Sequence, residues 1–406
     1  MAQIDLYTDV AAQEEIESHL NEVFSSIYDQ EAKVTLSHKE PVQKKYQKNS
    51  VAWKVYLNVE KRKDARAADI TCFLRKHKDL DKNYMWNRKL HAAIYKAFRD
   101  DEDSRKKEKE KHKFTHNVPE QQRYVWTFPK PLEWDYKKEE INPFFEKNRL
   151  SLVEFLNETP FDARFKGEKK INFWPLLPAL DPLVILMERL PWFKEKEKML
   201  KGLEKLKIDD YTKNFFEIVD SSITPKDAKS EIKENFKNLV KKYIMDERHE
   251  TIIQHNGYPK SNNDTYLLNL EKLCYGSRAY QFGAIFGHPC IFNKVDEPEK
   301  NISICLVDTY LKFKRNTCYD EYGMGTPKPI DKDEIKEYEA LLDSGFYVGS
   351  ACANSDFFVE YKELLSNDEK KEFLGTIKSQ LSILSGRKIK EAEEISKDYN
   401  PEIPDP

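Results

Sequence analysis

Two periods run through the first 113 residues. Apolar and polar positions alternate over Ile4–Tyr7, Ala32–Ser37, Val51–Val59 and Ala68–Leu74, as in strands with one buried face. In the third of these, Val51, Trp53, Val55, Leu57 and Val59 fall on one side, and Lys54, Tyr56 and Asn58 on the other. In the fourth, Ala68, Ile70, Cys72 and Leu74 oppose Asp69, Thr71 and Phe73. Two further stretches repeat every three to four residues. One carries Ile16, Leu20, Val23, Phe24 and Ile27, the other Trp86, Leu90, Ala93, Ile94 and Ala97. Each is a single apolar stripe able to cover one face of a sheet. The order predicts a β-α-β-β-β-α two-layer domain whose second sheet face is wet.

Beyond residue 113 the pattern predicts a linker over 114–142, rich in proline, glutamine and aromatics, in which Tyr124–Phe128 could add a strand. A mainly helical region follows over 143–256. It opens after Asn148 with Leu152, Val153, Phe155 and Leu156, and is then cut by Pro175, Pro178, Pro182 and Pro191. Longer helices are predicted over Lys194–Lys207 and Asp227–Met245. A mixed α/β region is expected over 257–386. It has a helix at Leu267–Leu273, strands at Ile302–Val307 and Phe346–Ala351, and helices at Ser355–Leu365 and Glu369–Leu384. Gly386 is the helix stop, and 387–406 an extended tail. The fold class is therefore α+β.

Charge changes this picture by its distribution. The net formal charge of the chain is −3, yet residues 1–30 sum to −7 and residues 41–100 to +10. A basic block beside an acidic one favours polyanionic partners. Lys54, Arg62, Lys63, Arg75 and Lys76, then Arg88, Lys89, Arg105, Lys106, Lys107, Lys109 and Lys111, would contact phosphates. Tyr56 and Phe73, on the polar sides of their strands, would stack on bases.

The element order, the stretch His91-Ala92-Ala93-Ile94-Tyr95 and the basic end from Arg105 to Lys113 resemble the N-terminal domain of the ribosome hibernation-promoting factors. The resemblance implies binding of structured RNA or the small ribosomal subunit, without catalysis. An assembly role is the alternative. Ten apolar side chains between Phe173 and Met187 are too many for one stripe, so residues 173–192 are either central core or a partner-docking patch.

Six widely spaced cysteines, without a CxxC pair, point to a reducing compartment rather than to disulfides or zinc. With no apolar leader and no uncharged span, the expected location is cytoplasmic, with no membrane partner. No GxGxxG or GxxxxGK[ST] occurs, His249 and His255 miss the HExxH spacing, and no cofactor or metal is expected. The place to look for chemistry is the glycine-punctuated segment 275–290. Cys290, with Cys352 as a second option, would be the nucleophile of a hydrolase or transferase. On strand geometry His288 would stand about 7 Å from Cys290, too far for direct pairing. His255, assisted by Asp264, is the other candidate base.

Overall fold

The computed structural model describes residues 10–28, 32–41, 50–61, 67–77, 131–135, 140–154, 168–171, 203–222, 226–246, 250–255, 260–261, 265–266, 273–296 and 344–398, with single positions at 88–95, 138, 176–187, 298–310 and 333–336. The chain divides into two compact units, built around residues 1–158 and around 159–193, 202–265 and 272–406.

The first unit holds helix α1 (Val10–Tyr28) and strands β1 (Ala32–Pro41), β2 (Ser50–Lys61) and β3 (Ala67–His77). The alternation explains the sheet. Trp53, Val55, Leu57, Val59, Cys72 and Leu74 are buried against Ile16, Leu20, Val23 and Phe24 of α1. The pairing is antiparallel, with Val55 opposite Cys72 and Leu57 opposite Ile70. The fourth strand comes from a region expected to be helical. After β4 (Trp134–Asp135), β5 (Glu140–Ile141) and the short helix α2 (Pro143–Lys147), β6 (Leu150–Glu154) pairs with β3, giving the order β1-β2-β3-β6. Leu150 and Leu152 point into the core, while Val153 lies opposite Phe73 on the other face. Apolar residues on both faces hid the period of two. Ile4–Tyr7 and Tyr124–Phe128 lie outside the described residues.

The free edge of β1 is closed by side chains of α1. Glu17, Asn21 and Ser25 accept from the backbone N–H groups of Leu36, Val34 and Ala32 at 2.8, 2.5 and 2.9 Å. Four helical residues advance about 6 Å, close to two residues of strand, so the two repeats keep step along the edge. The exposed N–H row of an edge strand is thereby satisfied.

The second unit contains α3 (Ile208–Ser222), α4 (Lys226–Tyr243), β7 (Glu250–Gln254), the two-residue strand β8 (Lys260–Ser261), β10 (Leu273–Ser277), α5 (Arg278–Phe286), α6 (Pro289–Phe292), α7 (Phe346–Tyr361) and α8 (Asn367–Asp398), and the two-residue strand β9 (Thr265–Tyr266) falls at its boundary. Helix α4 matches the predicted stripe, with Phe236 and Val240 buried and Phe236 stacked on Phe215 of α3. Residues 203–207 are extended rather than helical. They flank β10, where Tyr275 donates to the Glu204 carbonyl and accepts from Leu206 N–H. Leu273 opens a strand and does not close a helix.

Several further expectations are corrected. Phe346–Ala351 is helical, the first turns of α7, and every residue from Phe346 to Asp356 is buried. Buried Ile302 sits in a helical turn, and Val307 lies outside the described residues. Helix α8 runs through Gly386 to Asp398, so residues 387–398 are not extended. Leu176, Leu180, Leu183, Leu186 and Met187 are all fully buried and belong to the core, while Phe173, Trp174, Leu177, Val184 and Ile185 lie outside the described residues. No described helix is long and apolar enough to cross a membrane.

Glycines bring α5 and α7 together. A methyl group on Gly283 would collide with the backbone nitrogen of Ser350, and one on Gly349 with the carbonyl of Ala279. The glycines of this region therefore serve helix contact, and this contact places residues of α5 and α7 side by side at the site described next.

Candidate functional site

One carboxyl group gathers four elements of the second unit. Asp356, on α7, is completely buried. Its Oδ1 accepts from Asn214 Nδ2 of α3 at 2.7 Å. Its Oδ2 accepts from the Tyr280 hydroxyl of α5 at 2.7 Å, and lies 3.1 Å from Nε2 of His255, the residue that follows β7. Taking a carboxylate out of water costs several kcal/mol unless its lone pairs find donors. Three donors meet that need here.

The donors differ in exposure. Tyr280 is fully buried, whereas the His255 side chain keeps 16% of its surface. Because the facing atom is an acceptor, the hydrogen of the His255 ring belongs on Nε2, and the lone pair remains on Nδ1. Among the described residues Nδ1 makes no hydrogen bond. The ring lies 5.2 Å from that of Tyr280, and Tyr280 lies 5.5 Å from Tyr211. Tyr211 in turn accepts from Ser277 N–H at the end of β10. Burial pushes the Tyr211 phenol far up, so it stays neutral. An acid oriented on an imidazole with one open nitrogen is an arrangement able to move a proton.

The cysteine candidates fare differently. His288 and Cys290 do not lie on a strand. His288 caps α6, its Nδ1 accepting from Cys290 N–H at 3.4 Å and lying 2.8 Å from Cys290 Sγ. The pair is closer than the expected 7 Å because the chain turns into a helix between its two members. Yet His288 is buried with its ring perpendicular to those of Phe357 and Phe373, and burial pushes its pKa down to about 3. A base that cannot hold a proton cannot activate the thiol beside it. Cys352 is fully buried, and burial first, then the Asp356 charge, pushes its thiol well up. Asp264, the expected helper of His255, lies outside the described residues. Its place is taken by Asp356, which sequence spacing did not single out. The signal was an acid embedded in the run Ala351-Cys352-Ala353-Asn354-Ser355-Asp356-Phe357-Phe358.

The residues expected to bind RNA are placed in the first unit. Lys54, Tyr56, Phe73 and Arg75 share one sheet face, in register across β2 and β3. Lys54 sits over the Tyr56 ring at 4.8 Å and Arg75 over Phe73 at 5.2 Å. Phe73 is buried, with Val153 beside it, so this part of the face is not wet. Lys76 is half-buried and Lys89 exposed. Arg88 is buried and paired with Glu133 at 3.2 Å, which turns it away from any phosphate. Arg62, Lys63, Arg105, Lys106, Lys107, Lys109 and Lys111 lie outside the described residues.

No family model and no curated protein matches the chain. Among solved structures, it is similar to a choline kinase from Cryptosporidium parvum Iowa II, at TM-score 0.47 and 9% identity, over 88% of this chain and 91% of that one. The expectation of a non-catalytic RNA- or ribosome-binding protein is corrected on the geometry of the first unit itself: the aromatic rings meant for bases already lie under the cations of their own sheet, and Arg88 is buried and paired with Glu133.

Proposed function

We propose that the chain is an enzyme of the hydrolase or group-transferase class, in which His255 takes the proton of a water or hydroxyl nucleophile. The observation behind this reading is a fully buried carboxylate set on a partly exposed imidazole whose second nitrogen makes no hydrogen bond among the described residues. Asp356 fixes the ring with hydrogen on Nε2, which leaves Nδ1 as the acceptor. When Nδ1 gains the proton, the imidazolium is stabilised by the carboxylate at its other nitrogen. General-base catalysis of this kind contributes about 10²–10⁴ in rate. The nucleophile comes from the solvent or the substrate. Cys290 is not given this role, because the ring beside it, His288, is buried where a positive charge is disfavoured.

Release of nitrophenol from activated acyl and phosphoryl esters by the wild type, H255Q and C290A tests this assignment. H255Q should lose about 10²-fold or more in turnover, while C290A keeps the wild-type rate. Equal turnover in the wild type and H255Q would remove the base from the account. Loss in C290A alone would move the chemistry to the thiol.

A further inference from the structure

Asp356 Oδ2 is shared. Tyr280 donates to it at 2.7 Å and His255 Nε2 approaches it at 3.1 Å, so the phenol holds the nearer position. The other oxygen has a single donor among the described residues, Asn214 Nδ2 at 2.7 Å. We infer that Tyr280 and Asn214 are positioning residues, which fix the plane of the Asp356 carboxyl group and so keep His255 in the tautomer with hydrogen on Nε2. The inference rests on the proposed role of His255, though it can fail separately from it.

A carboxyl group has two oxygens and can rotate about its bond to Cβ. Asn214 on one oxygen and Tyr280 on the other remove that freedom. Neither anchor is itself loose. Tyr280 is fully buried on α5, with its ring against Tyr211, and α5 is held to α7 by backbone contact at Gly283 and Gly349. Asn214 lies on α3, in the same helix as Tyr211, whose hydroxyl accepts from Ser277 N–H at the start of α5. Sharing also weakens the hold on His255, since Oδ2 divides its acceptor strength between two donors. Tyr280 thereby moderates the hydrogen bond to His255, and Asn214 aligns it.

The two roles give different signatures in long-range ¹H–¹⁵N NMR spectra of the full chain, recorded at mildly alkaline pH. His255 is assigned among the nine histidines by its loss in H255Q. In the wild type, its ring nitrogens should show a single tautomer with hydrogen on Nε2. In Y280F, the Nε2 proton should move downfield, because Oδ2 then has one donor. In N214A, the two ring nitrogens should move toward each other as tautomers mix. Wild-type His255 signals in both variants would overturn the inference, as would a wild-type ring protonated on Nδ1. The wild-type tautomer decides the matter even where a variant fails to fold. Turnover is read in parallel: an active H255Q sinks the base assignment, while the tautomer signals alone decide the positioning roles.

Discussion

At His288 the ring is buried against those of Phe357 and Phe373, and the cost of charging it there pushes its pKa to about 3. Unfolding returns the ring to water and to its ordinary value near 6.5. Below that value the unfolded chain binds a proton that the folded chain refuses. The stabilisation is therefore complete above pH 6.5 and is lost as pH falls toward 3. Integrated down to about pH 5, this one group lowers stability by about 2 kcal/mol. Urea unfolding near pH 8 and near pH 5 should show that loss in the wild type. In H288N, whose amide can still cap α6, the loss should be smaller by that amount. Equal pH dependence in both proteins would contradict the burial argument. Strand spacing sets His288 and Cys290 too far apart to pair, whereas the turn into α6 brings them to 2.8 Å, and a His-Pro-Cys run gives no period by which strand and helix cap differ.

Among the elements, the contact between α5 and α7 makes the sharpest demand on residue type. A methyl group on Gly283 would meet the Ser350 backbone, which cannot swing aside as a side chain can. Overpacking of this kind costs about 1–3 kcal/mol or more. On α8, a methyl group on Gly375 would meet nothing within 4 Å. There the gain in helix propensity should stabilise by about 0.5–1 kcal/mol. G283A and G375A should thus shift the unfolding midpoint in opposite directions. A shared direction would mean that the close approach at Gly283 is not what holds the two helices. Legibility at this scale followed exposure. The one-sided helices α1 and α4 and the strands β2 and β3 were read from period alone. Helix α7 was read in part as a strand because Phe346–Asp356 is buried on every side and so carries no period. Strand β6 was missed because Val153 is apolar on its outer face.

For the molecule as a whole, two separate hydrophobic cores correspond to the two units. The first was foreseen in strands β1, β2 and β3. The uneven charge pointed to a function that is not retained, because net charge along the sequence says nothing about which cations already have partners. Arg88 with Glu133 is the plain case. The candidate site lies in the second unit, and its members come from far apart: Asp356 is 142 residues from Asn214, 101 from His255 and 76 from Tyr280. No local spacing encodes such a convergence, which is why His255 was found and its partner was not.

If the buried carboxylate of Asp356 makes His255 a base, turnover by D356N must show it. Asparagine keeps the size of the side chain, and its oxygen can still accept from Tyr280 and His255, but the negative charge that would stabilise the imidazolium is gone. With an activated ester as substrate, the account predicts a fall in kcat of about 10²–10⁴-fold, in a protein whose circular dichroism is that of the wild type. A D356N protein that is folded and turns over at the wild-type rate would contradict it.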